Sequence, residues 1–136
     1  MPTVKMVEYA DATPEVREIY DDIMKTRGID RVPNFWKVLA SHPPLLRDVW
    51  ESLKAAMAPG RLDGLTKEMI ALAVSATNGC EYCINSHTAA ARKLGMDDAM
   101  LGELLAVVGV FNRTNALADA YQIEVDESIR TAARGA

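Results

Sequence analysis

The sequence contains little cysteine, little histidine and no excess of basic charge. Two cysteines and two histidines occur in 136 residues. With 15 basic and 19 acidic residues, the formal net charge is −4, which gives no electrostatic footprint for nucleic acid or for an anionic membrane. A chain of this length can bury a core without disulfide staples. Any redox or metal chemistry must therefore use a very small set of residues.

Long apolar runs are also absent. Residues 1–10 lack the apolar stretch of a secretory signal. No window approaches the roughly 20 apolar residues that a membrane-spanning helix requires. We therefore expect a cytoplasmic protein without a membrane partner. In that reducing compartment, cysteines stay as thiols until an oxidant arrives.

The sequence pattern predicts an all-α fold. The composition is 49% hydrophobic and 25% charged, as in an ordinary globular protein. Apolar residues recur at helical spacing, and no alternating strand with hairpin turn chemistry is present. We expect a single domain over 1–136 of about six to seven helices, with 1–12 as an N-terminal extension and 126–136 as a flexible tail. Predicted helix starts lie at Thr13, Pro33, Pro44, Thr66, Cys80, Asp97 and Asn112.

Several apolar and aromatic side chains are assigned to packing. The segment 69–74 is apolar nearly all round, which predicts a helix in the centre of the core. Phe35, Trp36 and Trp50 are expected in the core or in a subunit interface. His42 precedes two prolines, so it is assigned to a turn at the start of a helix.

The two cysteines lie together in Cys80-Glu81-Tyr82-Cys83, and His87 follows four residues later. Cys-x-x-Cys in such a chain is typical of a redox or metal site, and its short loop would stabilise the fold only weakly as a disulfide. On a helix, Cys80, Cys83 and His87 fall within an arc of roughly 60°. The imidazole and the helix N-terminus would both favour the reactive thiolate. The second cysteine can then resolve a sulfenic acid as a disulfide.

Glu68 is a further candidate site residue. It lies twelve residues before Cys80, near the start of the preceding, otherwise apolar helix. A carboxylate at the edge of a core helix needs a partner. If the two helices pack antiparallel, Glu68 lies nearer His87 than Cys80. It could then exchange a proton with the cysteine and histidine cluster.

The residues alone leave three functions open. The first is a redox enzyme that cycles between dithiol and disulfide. The second is a zinc-binding or redox-sensing regulator without turnover, for which Cys80, Cys83, His87 and Glu68 have acceptable ligand chemistry. The third is a structural subunit with unreactive thiols. Thiol titration with peroxide, combined with metal analysis, separates the three.

The spacing of these residues resembles a known motif. Glu68, eleven intervening residues, Cys80-x-x-Cys83, three residues and His87 are similar to the motif of the alkylhydroperoxidase D-like proteins, within the carboxymuconolactone decarboxylase superfamily. The resemblance runs from about Thr13 to Val110. Similar flanking segments are Val32-Pro33-Asn34, Ser41-His42-Pro43 and Ala71-Leu72-Ala73-Val74-Ser75.

This resemblance implies an all-helical protein that forms dimers, trimers or hexamers. It implies a thiol-dependent peroxidase or dithiol–disulfide oxidoreductase that needs no cofactor beyond its cysteine pair. The substrate would be a hydroperoxide, and the reductant a dithiol or thioredoxin-like protein. By resemblance, Cys83 attacks the peroxide and Cys80 closes the disulfide, while Glu68 and His87 manage protons.

One position departs from the motif. The best-studied members have a histidine directly before the second cysteine, where this chain has Tyr82. A phenol is a poor base at neutral pH, so Tyr82 is expected to act only as an auxiliary group that hydrogen-bonds Glu68 or a bound water. The true lactone decarboxylases lack the cysteine pair, so decarboxylation is disfavoured.

Overall fold

A computed structural model describes residues 1–135 of the chain as helices and short connections. No strand occurs within these residues, which confirms the all-α prediction. A 3-10 helix at Tyr9–Asp11 precedes seven α-helices. These are α1 (Pro14–Arg27), α2 (Asn34–Leu39), α3 (Pro43–Met57), α4 (Gly64–Asn78), α5 (Glu81–Lys93), α6 (Asp98–Ala120) and α7 (Glu127–Ala133).

The chain divides into two compact units. Unit 1 is Met1–Gly60, and unit 2 begins at Arg61. The single domain over 1–136 stays a prediction. Within the described residues 1–135, no helix has both the length and the apolar character needed to cross a membrane.

Unit 1 is built on buried aromatic side chains. Trp36 and Trp50 are each 1% exposed, and their rings meet edge to face with centroids 5.4 Å apart. Both tryptophans lie in the core, one of the two locations predicted for them, whereas the neighbouring Phe35 is 39% exposed. The buried core of this unit comprises Ala12, Val16, Ile19, Tyr20, Ile23, Val32, Trp36, Ala40, Leu46 and Trp50.

Part of the predicted N-terminal extension is packed against unit 1. The Tyr20 hydroxyl donates a hydrogen bond of 2.8 Å to the Val7 carbonyl, and the Val7 N–H donates to the Lys37 carbonyl at 3.0 Å. Burial raises the pKa of Tyr20 to about 12. Residues 7–12 are therefore held by hydrogen bonds and by the buried side chain of Ala12.

Unit 2 is a smaller core around α4, α5 and α6. Its buried hydrophobic residues are Leu72, Ala91, Met96 and Leu104, with Met69 and Met100 among the partly buried side chains around them. The short connection at Gly79 and Cys80 makes α4 and α5 antiparallel neighbours. This arrangement positions the candidate site.

Unit 2 corrects three predictions about helix limits. Helix α6 runs unbroken through Gly109 instead of forming two helices, because an interior glycine costs only about 1 kcal/mol when no proline breaks the ladder. Helix α4 begins earlier than predicted, because Asp63, and not Thr66, caps it by accepting the Thr66 N–H at 2.7 Å. Residues Glu127–Ala133, in the predicted tail, form α7.

Helix α4 is also less buried than predicted. Its apolar residues Ile70 and Val74 are 50% and 55% exposed, on the side away from Leu72. The prediction of a helix surrounded by core is therefore wrong for this chain alone. One apolar side of α4 is exposed to solvent.

Candidate active site

The turn between α4 and α5 determines where the first cysteine lies. Gly79 ends α4 with φ +67° and ψ +31°, a left-handed conformation that favours glycine. Its N–H donates to the Ala76 carbonyl at 3.3 Å, and the Cys80 N–H donates to the Ser75 carbonyl at 3.0 Å. This is the Schellman pattern of a glycine-terminated helix. The turn thereby delivers Cys80 directly to the start of α5.

Cys80 is the N-cap of α5. Its backbone is extended, and its Sγ atom accepts a hydrogen bond of 3.3 Å from the Cys83 N–H. The Sγ atoms of Cys80 and Cys83 are joined in a disulfide, and their Cα atoms are 5.3 Å apart. Because Cys80 precedes the helix, the predicted helical arc applies only to Cys83 and His87. Both sulfurs lie at the helix N-terminus, where the helix dipole favours negative charge.

Glu68 and His87 form a hydrogen-bonded pair between α4 and α5. The distance between Glu68 Oε2 and His87 Nδ1 is 2.7 Å. The side chains are only 13% and 21% exposed, so water competes weakly for this contact. The prediction that antiparallel packing brings Glu68 to His87 is confirmed. The carboxylate fixes the orientation of the imidazole ring, one helical turn from Cys83.

The pair suits proton transfer at its second ring nitrogen. When Nδ1 carries a proton and donates it to Glu68, Nε2 holds the lone pair and can act as a base. The protonated ring can then return that proton to a leaving group while the carboxylate stabilises its charge. The arrangement therefore provides a base and a dithiol on adjacent turns of one helix.

The other candidate residues, Tyr82 and His42, lie at helix starts. Tyr82 lies in the first turn of α5 with its side chain about half exposed. His42 is the N-cap residue of α3 in unit 1, as predicted from the prolines that follow it. Within residues 1–135, no three His, Cys, Asp or Glu side chains come close enough together to hold a metal ion.

Two positions that support the site were not predicted. The Ser75 side chain is 7% exposed and donates to the Ala71 carbonyl at 2.7 Å, while the Ser75 carbonyl accepts the Cys80 N–H. Gly79 supplies the left-handed turn. Asn78-Gly79 is typical of a helix end. Its effect on Cys80 depends on a hydrogen bond that spacing does not reveal.

Comparison with known proteins places the chain in a family. Residues 43–124, more than half of the chain, match the model of the Carboxymuconolactone decarboxylase family, and the chain belongs to that family. It is an AhpD-like member. Its fold matches the crystal structure of the alkylhydroperoxidase AhpD core from Rhodospirillum rubrum with a TM-score of 0.90 and 50% sequence identity, over 95% of this chain and 97% of that one.

Two curated relatives match shorter segments. An uncharacterized Haemophilus influenzae protein is 44% identical over 50 residues, which cover 36% of this chain and 44% of that protein. The alkyl hydroperoxide reductase AhpD of Streptomyces griseus is 40% identical over 56 residues, 41% of this chain and 32% of that protein. The chain spans less than half the length of these two relatives. The structural neighbour from Rhodospirillum rubrum and the relative from Streptomyces griseus are both named AhpD, in a family named after a decarboxylase.

Proposed function

We propose that this chain is a thiol-dependent peroxidase, a dithiol–disulfide oxidoreductase that reduces hydroperoxides through Cys80 and Cys83. The observation that carries the proposal is the Cys80–Cys83 disulfide at the start of α5, beside the 2.7 Å Glu68–His87 pair. A disulfide of this kind is the oxidised product of such a cycle. The AhpD relatives support the same class of chemistry.

The first step uses Cys83 as the nucleophile. His87 takes the thiol proton, and the thiolate attacks the peroxide oxygen, so that an S–O bond forms as the O–O bond breaks. The leaving alkoxide takes the proton back from His87 and departs as the alcohol. Cys83 is oxidised to a sulfenic acid, and the peroxide is reduced by the same two electrons. Glu68 stabilises the imidazolium formed between these transfers.

Cys80 resolves the sulfenic acid. Its sulfur attacks Cys83 Sγ, an S–S bond forms, and the hydroxyl group leaves with the Cys80 proton as water. The backbone accommodates this bond, since the two Cα atoms are 5.3 Å apart. An external dithiol, or a thioredoxin-like protein, then reduces the disulfide and is itself oxidised to a disulfide. No cofactor is required, and Tyr82 serves as an auxiliary group that orients a bound water.

The geometry supports Cys83 as the nucleophile. Cys83 lies within α5, four residues before His87, whereas Cys80 lies outside the helix. Only Cys83 therefore shares a helical face with the imidazole. Cys80 Sγ is held by the Cys83 N–H, which keeps it beside the sulfur that it must attack.

Stoichiometric oxidation tests the proposal. One equivalent of a hydroperoxide should consume both thiols of the reduced chain, and a dithiol should restore them. Cys83→Ser should abolish peroxide consumption. Cys80→Ser should react once and accumulate a sulfenic acid that dimedone traps. Glu81→Gln, which changes an exposed first-turn carboxylate and keeps both thiols, is the matched control.

Different outcomes reject different parts of the proposal. Reduced protein that keeps both thiols in excess peroxide would refute the peroxidase function. A trapped sulfenic acid in Cys83→Ser instead of Cys80→Ser would exchange the two cysteine roles while preserving the function. Zinc that copurifies stoichiometrically, and is lost only when both cysteines are replaced, would establish the regulatory alternative.

A further inference from the structure

We propose that Asn112 positions the resolving cysteine, through a hydrogen bond that holds the end of α4 against α6. This role rests on the proposed function, in which Cys80 closes the disulfide. The Thr77 hydroxyl donates to the side-chain oxygen of Asn112, with 3.1 Å between Oγ1 and Oδ1. Thr77 lies in the last turn of α4, three residues before Cys80, whereas Asn112 lies within α6. We call Thr77 and Asn112 the polar pair.

The polar pair ends an otherwise apolar contact between α4 and α6. On α4, Ala73 packs against the core of unit 2, and Thr77 follows it by four residues. On α6, Val108 packs against the same core, and Asn112 follows it by four residues. Residues four apart share a helix face. Both core-facing sides therefore end on a polar side chain, and the two polar side chains bind each other.

Such a pair fixes how far one helix lies along the other. Apolar contacts specify this register weakly, and in coiled coils a single polar residue at the interface specifies it at a cost in stability. Thr77 and Asn112 are both exposed, so water competes for their hydrogen bond and its contribution to global stability is small. The polar pair is therefore better suited to placing the end of α4 than to stabilising unit 2.

The two ends of α4 hold different parts of the site. Near the helix start, Glu68 holds His87. The last turn leads through Gly79 to Cys80, whose N–H donates to the Ser75 carbonyl. The α4 member of the polar pair lies about 14 Å along the helix from Glu68. A change at the polar pair should therefore affect the position of Cys80 and leave the proton relay intact.

Closure of the disulfide depends on the turn that carries Cys80. The step restricts this turn, because the Sγ atoms of Cys80 and Cys83 must meet. Any order that the turn already has in the dithiol lowers the entropic cost of closure. The polar pair supplies such order by holding Thr77 against α6. Asn112 acts through Thr77 and the turn, and is therefore a positioning residue.

The equilibrium with glutathione measures this positioning without peroxide. One glutathione disulfide oxidises the protein dithiol to the Cys80–Cys83 disulfide and is itself reduced to two glutathione thiols. Asn112→Ala should lower the equilibrium constant for closure about two- to fivefold, as expected for the loss of one exposed hydrogen bond. Thr77→Val, which keeps the side-chain volume and removes the hydroxyl, should lower it by the same factor.

Three further variants separate positioning from a general structural effect. Asn115→Ala makes the same exchange further along α6, with the same gain in helix propensity, and should keep the wild-type constant. Thr77→Ser restores the donor hydroxyl and should also keep it. Thr77→Val combined with Asn112→Ala should show no more than the larger single effect, since both remove one hydrogen bond. A merely structural role would destabilise the dithiol and the disulfide alike and leave the constant unchanged.

Peroxide reactions of the same preparations distinguish this role from the proposed function. Asn112→Ala should form the Cys83 sulfenic acid within about twofold of the wild-type rate, because the relay is distant from the polar pair. Dimedone should trap more of that sulfenic acid than in wild type, since Cys80 resolves it more slowly. Wild type that keeps its thiols in peroxide would refute the peroxidase function, and the glutathione equilibrium would still decide the positioning.

Two results would overturn the role of Asn112. The first is a closure constant in Asn112→Ala equal to that in Asn115→Ala. The second is additivity of the Thr77→Val and Asn112→Ala effects, because independent effects would show that the hydrogen bond between them does not position Cys80.

Discussion

Unit 1 and unit 2 use burial in different ways. Unit 1 surrounds two tryptophans and a tyrosine with aliphatic side chains, and its charged residues pair at the surface. Unit 2 buries only four hydrophobic residues, yet it carries the disulfide and the Glu68–His87 pair. Its reactive residues are positioned by a glycine turn, a helix cap and one hydrogen bond. Packing therefore dominates the first unit, and local backbone geometry dominates the chemistry of the second.

The largest effect is expected in the core of unit 1. Trp36→Ala should lower the free energy of unfolding by about 3–5 kcal/mol, because it removes a fully buried indole and leaves a cavity. Urea titration followed by circular dichroism measures this change. Phe35→Ala, beside it in α2 but 39% exposed, is the matched control and should cost about 1 kcal/mol or less.

A second tryptophan variant tests whether packing and chemistry are separated between the two units. Trp36→Phe, which keeps part of the ring, provides a folded variant if Trp36→Ala does not fold. Its rate of peroxide-dependent thiol loss should stay within about twofold of wild type. A larger fall in that rate would contradict the assignment of packing and chemistry to separate units.

The second largest effect concerns the proton relay in unit 2. His87→Gln should lower the rate of peroxide-dependent thiol loss by about 100-fold, since glutamine can hydrogen-bond Glu68 but cannot transfer a proton. Its stability should change by about 1 kcal/mol or less. Stopped-flow measurement of thiol loss gives the rate. His42→Gln, at the other histidine of the chain, should react as wild type.

The all-α fold and most helix starts could be predicted from the sequence. The continuity of one helix and the exposure of another could not, because they depend on packing energies that sequence patterns do not reveal. Thr13 was predicted as the start of α1, because threonine has a strong positional preference at a helix N-cap. The continuity of α6 was not, since Gly109 and Asn112 resemble a break. Exposure of Ile70 was also missed, because apolar periodicity does not reveal what covers a surface.

A smaller effect is expected at the turn before Cys80. Gly79→Ala should destabilise the protein by about 1–2 kcal/mol, because φ +67° is costly for a residue with Cβ. No heavy atom beyond the two neighbouring residues of the chain lies within 4 Å of the added Cβ, so the cost belongs to the backbone conformation. Gly109→Ala, in the interior of α6, should instead stabilise by about 0.5–1 kcal/mol. Equal effects of the two substitutions in urea titrations would refute the role of Gly79.

The smallest effect is a pH dependence in unit 1. Hydrogen bonds from Lys54 and then Trp50, at 2.7 and 2.8 Å, lower the pKa of Asp22 from its ordinary 3.8. The stability that the ionised carboxylate contributes is complete above pH 3.8 and is lost as the pH falls through the lower folded pKa. The acid limb is the fall of the unfolding midpoint as the pH decreases below 3.8. Asp22→Asn should make this fall less steep, and the change should be small because the site is partly exposed.

Asp48 provides the matched control for the pH measurement. Asp48→Asn removes an exposed carboxylate from α3 and should leave the acid limb as in wild type. Identical acid limbs in Asp22→Asn and Asp48→Asn would show that the hydrogen bonds to Asp22 do not stabilise unit 1.

The candidate site was predicted in its membership but not in its construction. Spacing placed His87 four residues from Cys83, and antiparallel packing brought Glu68 to it. Neither spacing nor composition reveals which ring nitrogen meets the carboxylate, because that depends on side-chain rotamers. The capping geometry of Cys80 likewise follows from the turn at Gly79, one residue outside the motif.

The distribution of aromatic residues has a practical consequence for spectroscopy. Both tryptophans of the chain, Trp36 and Trp50, lie in the core of unit 1. Intrinsic indole fluorescence therefore reports on unit 1 alone, while the absorbance of a thiol reagent reports on the cysteines of unit 2. Followed together during a single denaturant titration, the two signals show whether the units lose their structure at the same concentration.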